Sequence, residues 1–397
     1  MIYDIVIAGG GPAGTSTAIG LAERGLRVAL LDKARFPRVK PCAEYVNPEA
    51  MRVLDRLGLL EPVRAAGAAV FRGMRVVSPG GQTVELDYSA DACRHALGIS
   101  RHALDLLAIE RCRSLGVDVL EGARVRGVST GDRVSSLSAT QRGAAIEVRG
   151  WIVVGADGHH SAVARLLGLD LPLRWPRRIG LAAHLDGFAL TDEMGEMHAG
   201  RDGYCGIAPQ EDGRVNAAMV VDIARFGQRS GSVEAFFDAA LASYPAIAER
   251  LRQAARATPV RGVGPLARRV RRTAGDGYLL VGDAAGFFDP FTGEGIFDAL
   301  HGGELAAEAI ASALERGDTS AAGLAGYERA RRTAFADKRR AAWLVQAFVR
   351  SPRLMDYALQ RVAARPTVRT TMTGVLGDYR DAGALLSPRF LWATLRP

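Results

Sequence analysis

The sequence contains no uninterrupted apolar run of about 18 residues, the length that a membrane-spanning helix requires. Its first residues, MIYDIVIAGG, lack both a basic segment and a small-residue cleavage site, so they predict a buried strand and not a signal peptide. We therefore expect a globular protein of the cytoplasm. With 397 residues, the chain is long enough for two or three domains, or for one domain with an inserted lobe.

Cysteine is scarce, and the cysteines lie far apart without a CxxC pair, at Cys42, Cys93, Cys112 and Cys205. This spacing predicts neither a disulfide framework nor a zinc site, and it favours free thiols in a reducing compartment. The adjacent His159 and His160 have no third ligand in the sequence pattern, so we expect a loop there and no bound metal.

The net positive charge of the chain comes from its C-terminal region. Residues 331–397 contain 13 Lys and Arg against 4 Asp and Glu, a net charge of +9, whereas the whole chain carries +8. Apolar residues recur at helical spacing between these arginines, which is typical of helices that pack on the main body and keep a solvated face. Peripheral contact with an anionic membrane is the less favoured alternative. The sequence contains no nucleic-acid-binding motif.

Residues 3–32 show the pattern of a β-α-β unit. The run YDIVIA is continuously apolar, as in a strand buried on both faces of a parallel sheet, and a glycine turn, a helical pattern and a second strand follow it. Alternation of apolar and polar residues from about 174 to 265 predicts an antiparallel sheet. YLLVGDA predicts another buried strand, a helix is expected from about Gly295 to Arg316, and the remainder is helical in pattern.

A dinucleotide-binding motif lies at the turn of the β-α-β unit. Gly9, Gly11 and Gly14 have the GxGxxG spacing, and Asp32 ends the second strand. The glycines permit a tight turn and let a pyrophosphate approach the free N–H groups of the helix, while Asp32 can accept hydrogen bonds from ribose hydroxyls. This motif alone leaves the choice between FAD and NAD open.

Two later stretches bear on that choice. VGADG ends at Gly158, and VGDAAG ends at Gly286. Together with the first motif, in this order and spacing, they resemble the two-domain FAD-dependent oxidoreductases built like p-hydroxybenzoate hydroxylase. The resemblance covers residues 1 to about 330, and it makes FAD the expected cofactor.

The same resemblance implies an α/β fold with a discontinuous Rossmann-like FAD-binding domain, an inserted antiparallel β-sheet substrate lobe and a helical C-terminal region. The expected boundaries are 1–75, 100–173 and 266–330 for the FAD-binding domain, 76–99 and 174–265 for the lobe, and 331–397 for the basic helical region.

The resemblance also implies how the cofactor is held. Asp283 would bind the ribityl chain, Arg101 would reach back to the cofactor, and Asp157 and Gly158 would serve both FAD and a transient NAD(P)H. The helix that opens after Pro290 would direct free N–H groups at the flavin, where negative charge gathers on reduction. The full expected set is Gly9, Gly11, Pro12, Ala13, Gly14, Asp32, Lys33, Lys40, Pro41, Arg101, Asp157, Gly158, Gly282, Asp283, Pro290, Gly293, Glu294, Gly295 and Ile296.

The segment KPCAEY bears on the reaction. Its Lys-Pro-Cys step at residues 40–42 resembles the Lys-Pro-Cys-Gly step of geranylgeranyl-reductase-like flavoproteins, in which a cysteine sits near the isoalloxazine ring, although Ala43 replaces the usual glycine. Cys42 is either an apolar filler against the flavin edge or a group that donates a proton opposite the hydride. Glu44 and Tyr45 are the next candidates for that proton.

These features predict a flavin-dependent oxidoreductase that acts on a lipophilic isoprenoid, polyketide or aromatic substrate, with NAD(P)H or a separate reductase as the electron source. The cysteine step favours reduction of a C=C bond. Hydroxylation through a flavin hydroperoxide is the main alternative, and a flavin-binding protein without turnover is a remote one. The Trp-x-Trp-x-Ile-Pro signature of flavin halogenases is absent, which disfavours chlorination. Residues on alternating strands are more often core than pocket. The candidates for the substrate pocket are nevertheless His184, His198, Met194, Met197 and Cys205.

Overall fold

The structure is a computed structural model that describes residues 2–90, 94–131, 134–173, 175–190 and 192–396. Cys93, for which a free thiol is predicted, lies outside the described residues, whereas the other three cysteines are free thiols. The described strands are β1 (Ile2–Ala8), β2 (Val28–Asp32), β3 (Tyr45–Val46), β4 (Ala69–Phe71), β5 (Gly73–Val77), β6 (Thr83–Asp87), β7 (Ala96–Gly98), β8 (Asp118–Glu121), β9 (Ala123–Ser129), β10 (Ser135–Gln141), β11 (Ala144–Gly155), β12 (Asp170–Leu171), β13 (Arg178–Asp186), β14 (Met194–Ala199), β15 (Gly203–Pro209), β16 (Val215–Asp222), β17 (Ala255–Arg256), β18 (Arg261–Val263), β19 (Arg269–Val270), β20 (Ala274–Gly275) and β21 (Tyr278–Leu280).

Helices follow the predicted pattern, with one after the glycine turn, one after Pro290 and a continuous series at the C-terminus. The described α-helices are α1 (Pro12–Ala22), α2 (Pro48–Arg56), α3 (Leu60–Ala65), α4 (Arg101–Ser114), α5 (Ala162–Leu166), α6 (Ile223–Gly227), α7 (Val233–Ala242), α8 (Pro245–Leu251), α9 (Gly295–Glu315), α10 (Ala321–Val349), α11 (Pro352–Ala364), α12 (Pro366–Leu376) and α13 (Pro388–Leu395). Two 3₁₀ helices span Gly282–Ala285 and Ala382–Leu386.

The first sheet has a parallel centre. Strand β1 lies between β11 and β2, while β21 and β8 extend the sheet in the parallel order β21-β11-β1-β2-β8. Alternate residues of β1 enter two different cores: Ile5 and Ile7 pack with α1, α4 and α9, whereas Val6 and Ala8 pack towards β9, β10 and α5. A strand buried on both faces needs apolar residues at every position, which is why YDIVIA shows no alternation.

The second sheet faces the carboxyl ends of these strands. Its order is β17-β13-β16-β15-β14-β5-β6, and all of its pairs are antiparallel except β14 with β5. Strand β5 reaches this sheet from a distant part of the chain, so its parallel pairing leaves no local sequence signal. The predicted domain boundary at 75/76 falls inside β5, and β7, within the predicted lobe segment 76–99, pairs instead with β3 and β4 in a small separate sheet.

The C-terminal helices pack on the second sheet. Residues of α11 and α12, including Met355, Leu359 and Val368, are buried with Val84 and Leu86 of β6. The predicted boundary at 330/331 falls inside α10, so this helix belongs to both predicted units. None of the helices in the described ranges is both long and apolar enough to span a bilayer.

Candidate active site

A large cavity lies where the carboxyl ends of the parallel strands meet the second sheet. It has about 1250 Å³ of empty volume, part of it open to solvent. The loops that follow β1, β11 and β21 form one wall, and strands β13, β14, β15 and β16 form the other. Open α/β sheets bind their ligands outside the carboxyl ends of the strands, so this cavity is the candidate active site.

Two of the motif glycines hold the chain together at the start of α1. Gly9 has a φ of +109°, and a Cβ on it would overlap the carbonyl group of Ala156, which follows β11. A Cβ on Gly14 would overlap the carbonyl oxygen of Gly9. These two positions require glycine because backbone meets backbone there, whatever the ligand.

The third motif glycine, Gly11, faces the cavity beneath two arginines. A Cβ on Gly11 would lie 3.2 Å from Nη2 of Arg38 and 3.6 Å from Nη2 of Arg101. Asp105 holds both guanidinium groups, at 3.1 Å from Nε of Arg38 and 2.9 Å from Nε of Arg101. The free N–H groups at the start of α1 and the two cations surround an open cradle of the kind that a pyrophosphate fills.

Asp32 lies at the end of β2 beside this cradle. Its Oδ2 accepts a hydrogen bond from the backbone N–H of Gly10 at 2.8 Å, and its Oδ1 accepts one from Ala34 at 2.7 Å. Each carboxylate oxygen has a second lone pair. Asp32 therefore fixes the glycine turn and can still accept hydrogen bonds from ribose hydroxyls.

The opposite end of the cavity is formed by the turn before α9. Pro290, Gly293, Gly295 and Ile296 line it, and α9 begins at Gly295, so its unpaired N–H groups lie at the cavity wall. Gly293 has a φ of +74°, and a Cβ on it would come within 2.8 Å of the ring of Tyr45. This turn suits the redox ring of a flavin, because a helix N-terminus stabilises negative charge.

The segment KPCAEY forms the wall between these two ends. Lys40, Pro41 and Cys42 all line the cavity, and the Cys42 side chain lies close enough to the Arg101 guanidinium to interact with it electrostatically. Burial and the nearby Arg101 lower the pKa of Lys40, while Asp283 across the cavity opposes that effect. Cys42 is thus placed at the cavity beside a fixed positive charge.

Glu44 connects this segment to the second sheet. Its backbone is left-handed, with a φ of +56°, and its Oε1 accepts a hydrogen bond from the N–H of Arg101 at 2.8 Å. Its Oε2 lies 2.7 Å from Nε2 of His184 and 2.9 Å from Nδ2 of Asn216, which also donates to the Cys42 carbonyl at 2.8 Å. The hydrogen bond that His184 donates to Glu44 raises the pKa of His184.

The second sheet and the segments next to it supply an apolar wall. Aliphatic, thioether and aromatic side chains line the cavity there, namely Leu181, Met197, Met219, Val220, Val263, Leu266 and Phe287. Met197 is the one member of the predicted pocket set that lines it. Met194, His198 and Cys205 are buried inside the second lobe, and His184 reaches the site through Glu44.

Several predicted cofactor residues lie outside the cavity lining. Lys33 is exposed. Asp157 turns its Oδ2 to the backbone N–H of Ala162 at 2.6 Å and so caps α5, whereas its neighbour Gly158 lines the cavity. Glu294 points away to Lys338, and burial raises its pKa well above the ordinary value. We assign these three side chains structural or surface roles.

Arg38, Asp105 and Asn216 belong to the site, although the sequence reasoning did not select them. Asp105 follows Arg101 by four residues on α4, and that spacing is a signal for an ion pair on one helix face. Asn216 and Arg38 carry no such signal, because their partners come from distant parts of the chain.

Comparison with known proteins agrees with this geometry. Residues 2–341 match the FAD binding domain family. The chain belongs to that family. It is an FAD-dependent oxidoreductase of the p-hydroxybenzoate-hydroxylase-like superfamily, in its geranylgeranyl-reductase-like branch, so the predicted fold class, cofactor and enzyme class are confirmed. The cradle at Gly11 fits the pyrophosphate in the middle of FAD, and the turn before α9 fits its flavin end.

Individual relatives bear on the reaction. The oxidoreductase is 31% identical to the digeranylgeranylglycerophospholipid reductase of Methanosarcina acetivorans, over 80% of this chain and 77% of that protein. A flavoprotein/dehydrogenase structure from Cytophaga hutchinsonii has a TM-score of 0.85 at 21% identity, covering 100% of this chain and 96% of that one. The flavin-dependent halogenase CmlS has a TM-score of 0.79 at 24% identity, covering 93% and 67%. The two structural matches show a shared fold.

Proposed function

We propose that this oxidoreductase reduces C=C bonds of a lipophilic, isoprenoid-type small molecule, with electrons from NAD(P)H or a separate electron-donor protein. The observation that carries the proposal is the position of Cys42, which lines the same cavity as the turn before α9 and the apolar wall and lies near the Arg101 guanidinium. The match to digeranylgeranylglycerophospholipid reductases supports the isoprenoid class.

Reduction of a double bond needs two different hydrogen donors. FAD, once bound and reduced, would supply the hydride for one carbon, and we propose that Cys42 gives the proton to the other carbon. The Arg101 guanidinium stabilises the negative charge that remains on sulfur after the proton leaves. Arg101 is itself held by Asp105, at 2.9 Å from both Nε and Nη2, so the cation stays in position.

The apolar wall supports a hydrocarbon substrate. Leu181, Met219 and Leu266 present no strong hydrogen-bonding group, so an isoprenoid chain can displace water from them at a gain of roughly 25 cal/mol per Å² of apolar surface. The same apolar wall would also suit hydroxylation of an aromatic or polyketide compound, because that reaction needs a site that excludes water. Chemistry at Cys42 distinguishes the two reactions, because hydroxylation has no need of a proton donor at that carbon.

Product analysis tests the proposal. The FAD-loaded enzyme is incubated with a digeranylgeranyl phospholipid and a chemical or enzymatic electron source, and the product is examined by mass spectrometry. Gain of two hydrogen atoms per reacted double bond is the expected result. Gain of an oxygen atom would overturn the proposal in favour of hydroxylation.

Variants at Cys42 test the proton donor itself. Cys42→Ala should lower turnover roughly a hundredfold to ten-thousandfold, the usual contribution of a positioned acid, while the yellow colour of bound FAD is kept. Cys42→Ser retains a proton-bearing group and should lose less. Equal activity of the alanine variant and the unaltered enzyme would show that Cys42 is a packing residue.

The setting of the enzyme is part of the proposal. A cytoplasmic location is supported by the free thiols Cys42, Cys112 and Cys205, which persist in a reducing compartment. Fractionation of the native host cells, followed by detection of the protein in the cytosolic and membrane fractions, is the measurement that checks it.

A further inference from the structure

We propose that His184 and Glu44 form the route by which a proton from solvent reaches the Cys42 end of the cavity. This inference rests on the proposed function, because it describes how the proton that Cys42 gives away is replaced. His184 lies on β13 of the second lobe and Glu44 on the segment before β3, so the route crosses the interface between the two lobes.

His184 and Glu44 lie close enough for direct proton transfer. His184 Nε2 lies 2.7 Å from Glu44 Oε2, a distance at which a proton passes directly between them. Glu44 lines the cavity and its side chain is 5% exposed, whereas that of His184 is 21% exposed and meets solvent. His184 is therefore in contact with solvent, and Glu44 faces the cavity.

The surroundings favour a proton on this pair. Glu211 and Asp212, on the hairpin between β15 and β16, act with Glu44 to raise the pKa of His184, whereas burial acts in the opposite direction. The hydroxyl of Thr258 accepts from the His184 backbone N–H and carries no charge. Each of these three carboxylates favours the imidazolium form of His184.

The backbone of Glu44 indicates selection for the position of its carboxylate. A buried non-glycine residue with a φ of +56° costs on the order of 1 kcal/mol, and such strain persists where the surrounding structure enforces it. Three hydrogen bonds enforce it here, from the Arg101 N–H, His184 and Asn216. Asn216 also bonds the Cys42 carbonyl, which ties the carboxylate to the Cys42 segment.

Each transfer in the route conserves charge and atoms. After Cys42 has donated its proton, the Nε2–H bond of His184 breaks and an O–H bond forms on Glu44 Oε2. That O–H bond then breaks as the S–H bond of Cys42 is restored within the cavity. The Nε2 atom of neutral His184 finally takes a proton from a hydronium ion of the solvent, which releases a water molecule and returns the pair to its starting state.

The first experiment measures the His184 pKa by NMR in the FAD-bound protein, without substrate. We expect titration above the ordinary histidine value of about 6.5 in the unaltered protein and a value at least one unit lower in Glu44→Gln, because the charged partner is lost. An unchanged titration in Glu44→Gln would overturn the proposal, and this readout is independent of any reaction.

The second experiment measures turnover against pH for Glu44→Gln, His184→Gln and the control Thr258→Val. Glu44→Gln and His184→Gln should slow turnover at least tenfold, enlarge the solvent deuterium isotope effect and remove the limb of the pH profile that belongs to His184. Thr258→Val removes the hydrogen bond to the His184 backbone N–H but neither member of the pair, so it should keep that limb and isotope effect. Loss of stability with an unchanged pH profile in all three variants would show a purely structural role.

The outcomes separate this inference from the proposed function. If the product carries an added oxygen, the proposed reduction is wrong and Cys42 needs no proton. The proton route through His184 and Glu44 is then wrong as well, even if the His184 pKa depends on Glu44. If reduction is observed but the pH profile is the same in Glu44→Gln as in the unaltered enzyme, the relay alone fails.

Discussion

The hydroxyl oxygens of Tyr45 and Tyr88 lie 2.8 Å apart in the wall of the candidate active site. Burial raises the pKa of both phenols, that of Tyr45 well above its ordinary value of 10.0. Tyr45 therefore releases its proton less readily than an exposed tyrosine. Although the sequence made Tyr45 a candidate proton donor, its geometry favours a structural role, with its ring against Gly293 and its hydroxyl on Tyr88.

Tyr45→Phe should keep at least a third of the turnover and lose stability. The substitution leaves the buried Tyr88 hydroxyl without its partner, which costs about 1–3 kcal/mol in the free energy of unfolding. Urea denaturation measures that loss. Removal of both hydroxyls in Tyr45→Phe/Tyr88→Phe should restore part of the lost stability, since no unpaired hydroxyl remains. If Tyr45→Phe instead loses as much turnover as Cys42→Ala, Tyr45 is the acid.

Gly11 and Gly14 should respond differently to alanine. Gly14→Ala forces a Cβ into the backbone of Gly9, so we expect little folded protein. Gly11→Ala meets only the movable end of the Arg38 side chain, so the chain should fold, but the methyl group fills the cradle and should weaken FAD binding. Soluble yield, melting temperature and the flavin content of the purified protein check both expectations. Normal flavin content in Gly11→Ala would place the pyrophosphate elsewhere.

Asp105 should be essential for stability. Its carboxylate is fully buried between Arg101 and Arg38, so Asp105→Ala leaves a buried guanidinium without its counter-charge and should cost about 3–5 kcal/mol. The matched control is Glu61→Ala, which breaks the exposed pair with Arg64 and should cost less than about 1 kcal/mol. Comparable unfolding free energies for the two variants would contradict this account of the site.

Glu196 should make the protein sensitive to acid. Burial alone would raise the pKa of Glu196, but hydrogen bonds from His198 at 2.7 Å and Arg250 at 2.6 Å lower it to about 2. The folded-state pKa lies below the unfolded value of about 4.3, so the stabilisation is present above pH 4.3 and is lost as the pH falls towards 2. Between those limits the unaltered protein should lose about 3 kcal/mol more than Glu196→Gln, as measured by urea titrations.

Local patterns predicted the parts of the fold that are continuous in sequence. The β1-α1-β2 unit, strand β21 and the start of α9 at Gly295 all follow from apolar runs and glycine turns, because both ends of each feature lie within about thirty residues. The same glycines predict where the cofactor binds, since the carboxyl ends of parallel strands meet at one edge of a sheet.

Contacts between distant segments were beyond that reasoning. The pairing of β5 with β14, the bond between Arg38 and Asp105 and the bond between His184 and Glu44 join residues that are far apart in the chain. Side-chain direction also decided several outcomes: Asp157 and Glu294 lie in the predicted motifs, yet their carboxyl groups turn to α5 and to Lys338. A motif fixes where the backbone goes more firmly than where each side chain points.

The basic C-terminal region should behave as part of the core. Leu359 of α11 is 3% exposed among residues of the second sheet, so Leu359→Ala should cost about 2–5 kcal/mol, whereas Trp392→Ala, at a residue 62% exposed, should change stability by less than about 0.5 kcal/mol.

Because the apolar faces of α11 and α12 are already buried, they offer little surface to a membrane. Membrane contact by this region stays a prediction of the sequence, and sedimentation with anionic and neutral vesicles checks it. Equal, weak binding to both kinds of vesicle would support a packing role for these helices. Strong binding to anionic vesicles alone would contradict that role.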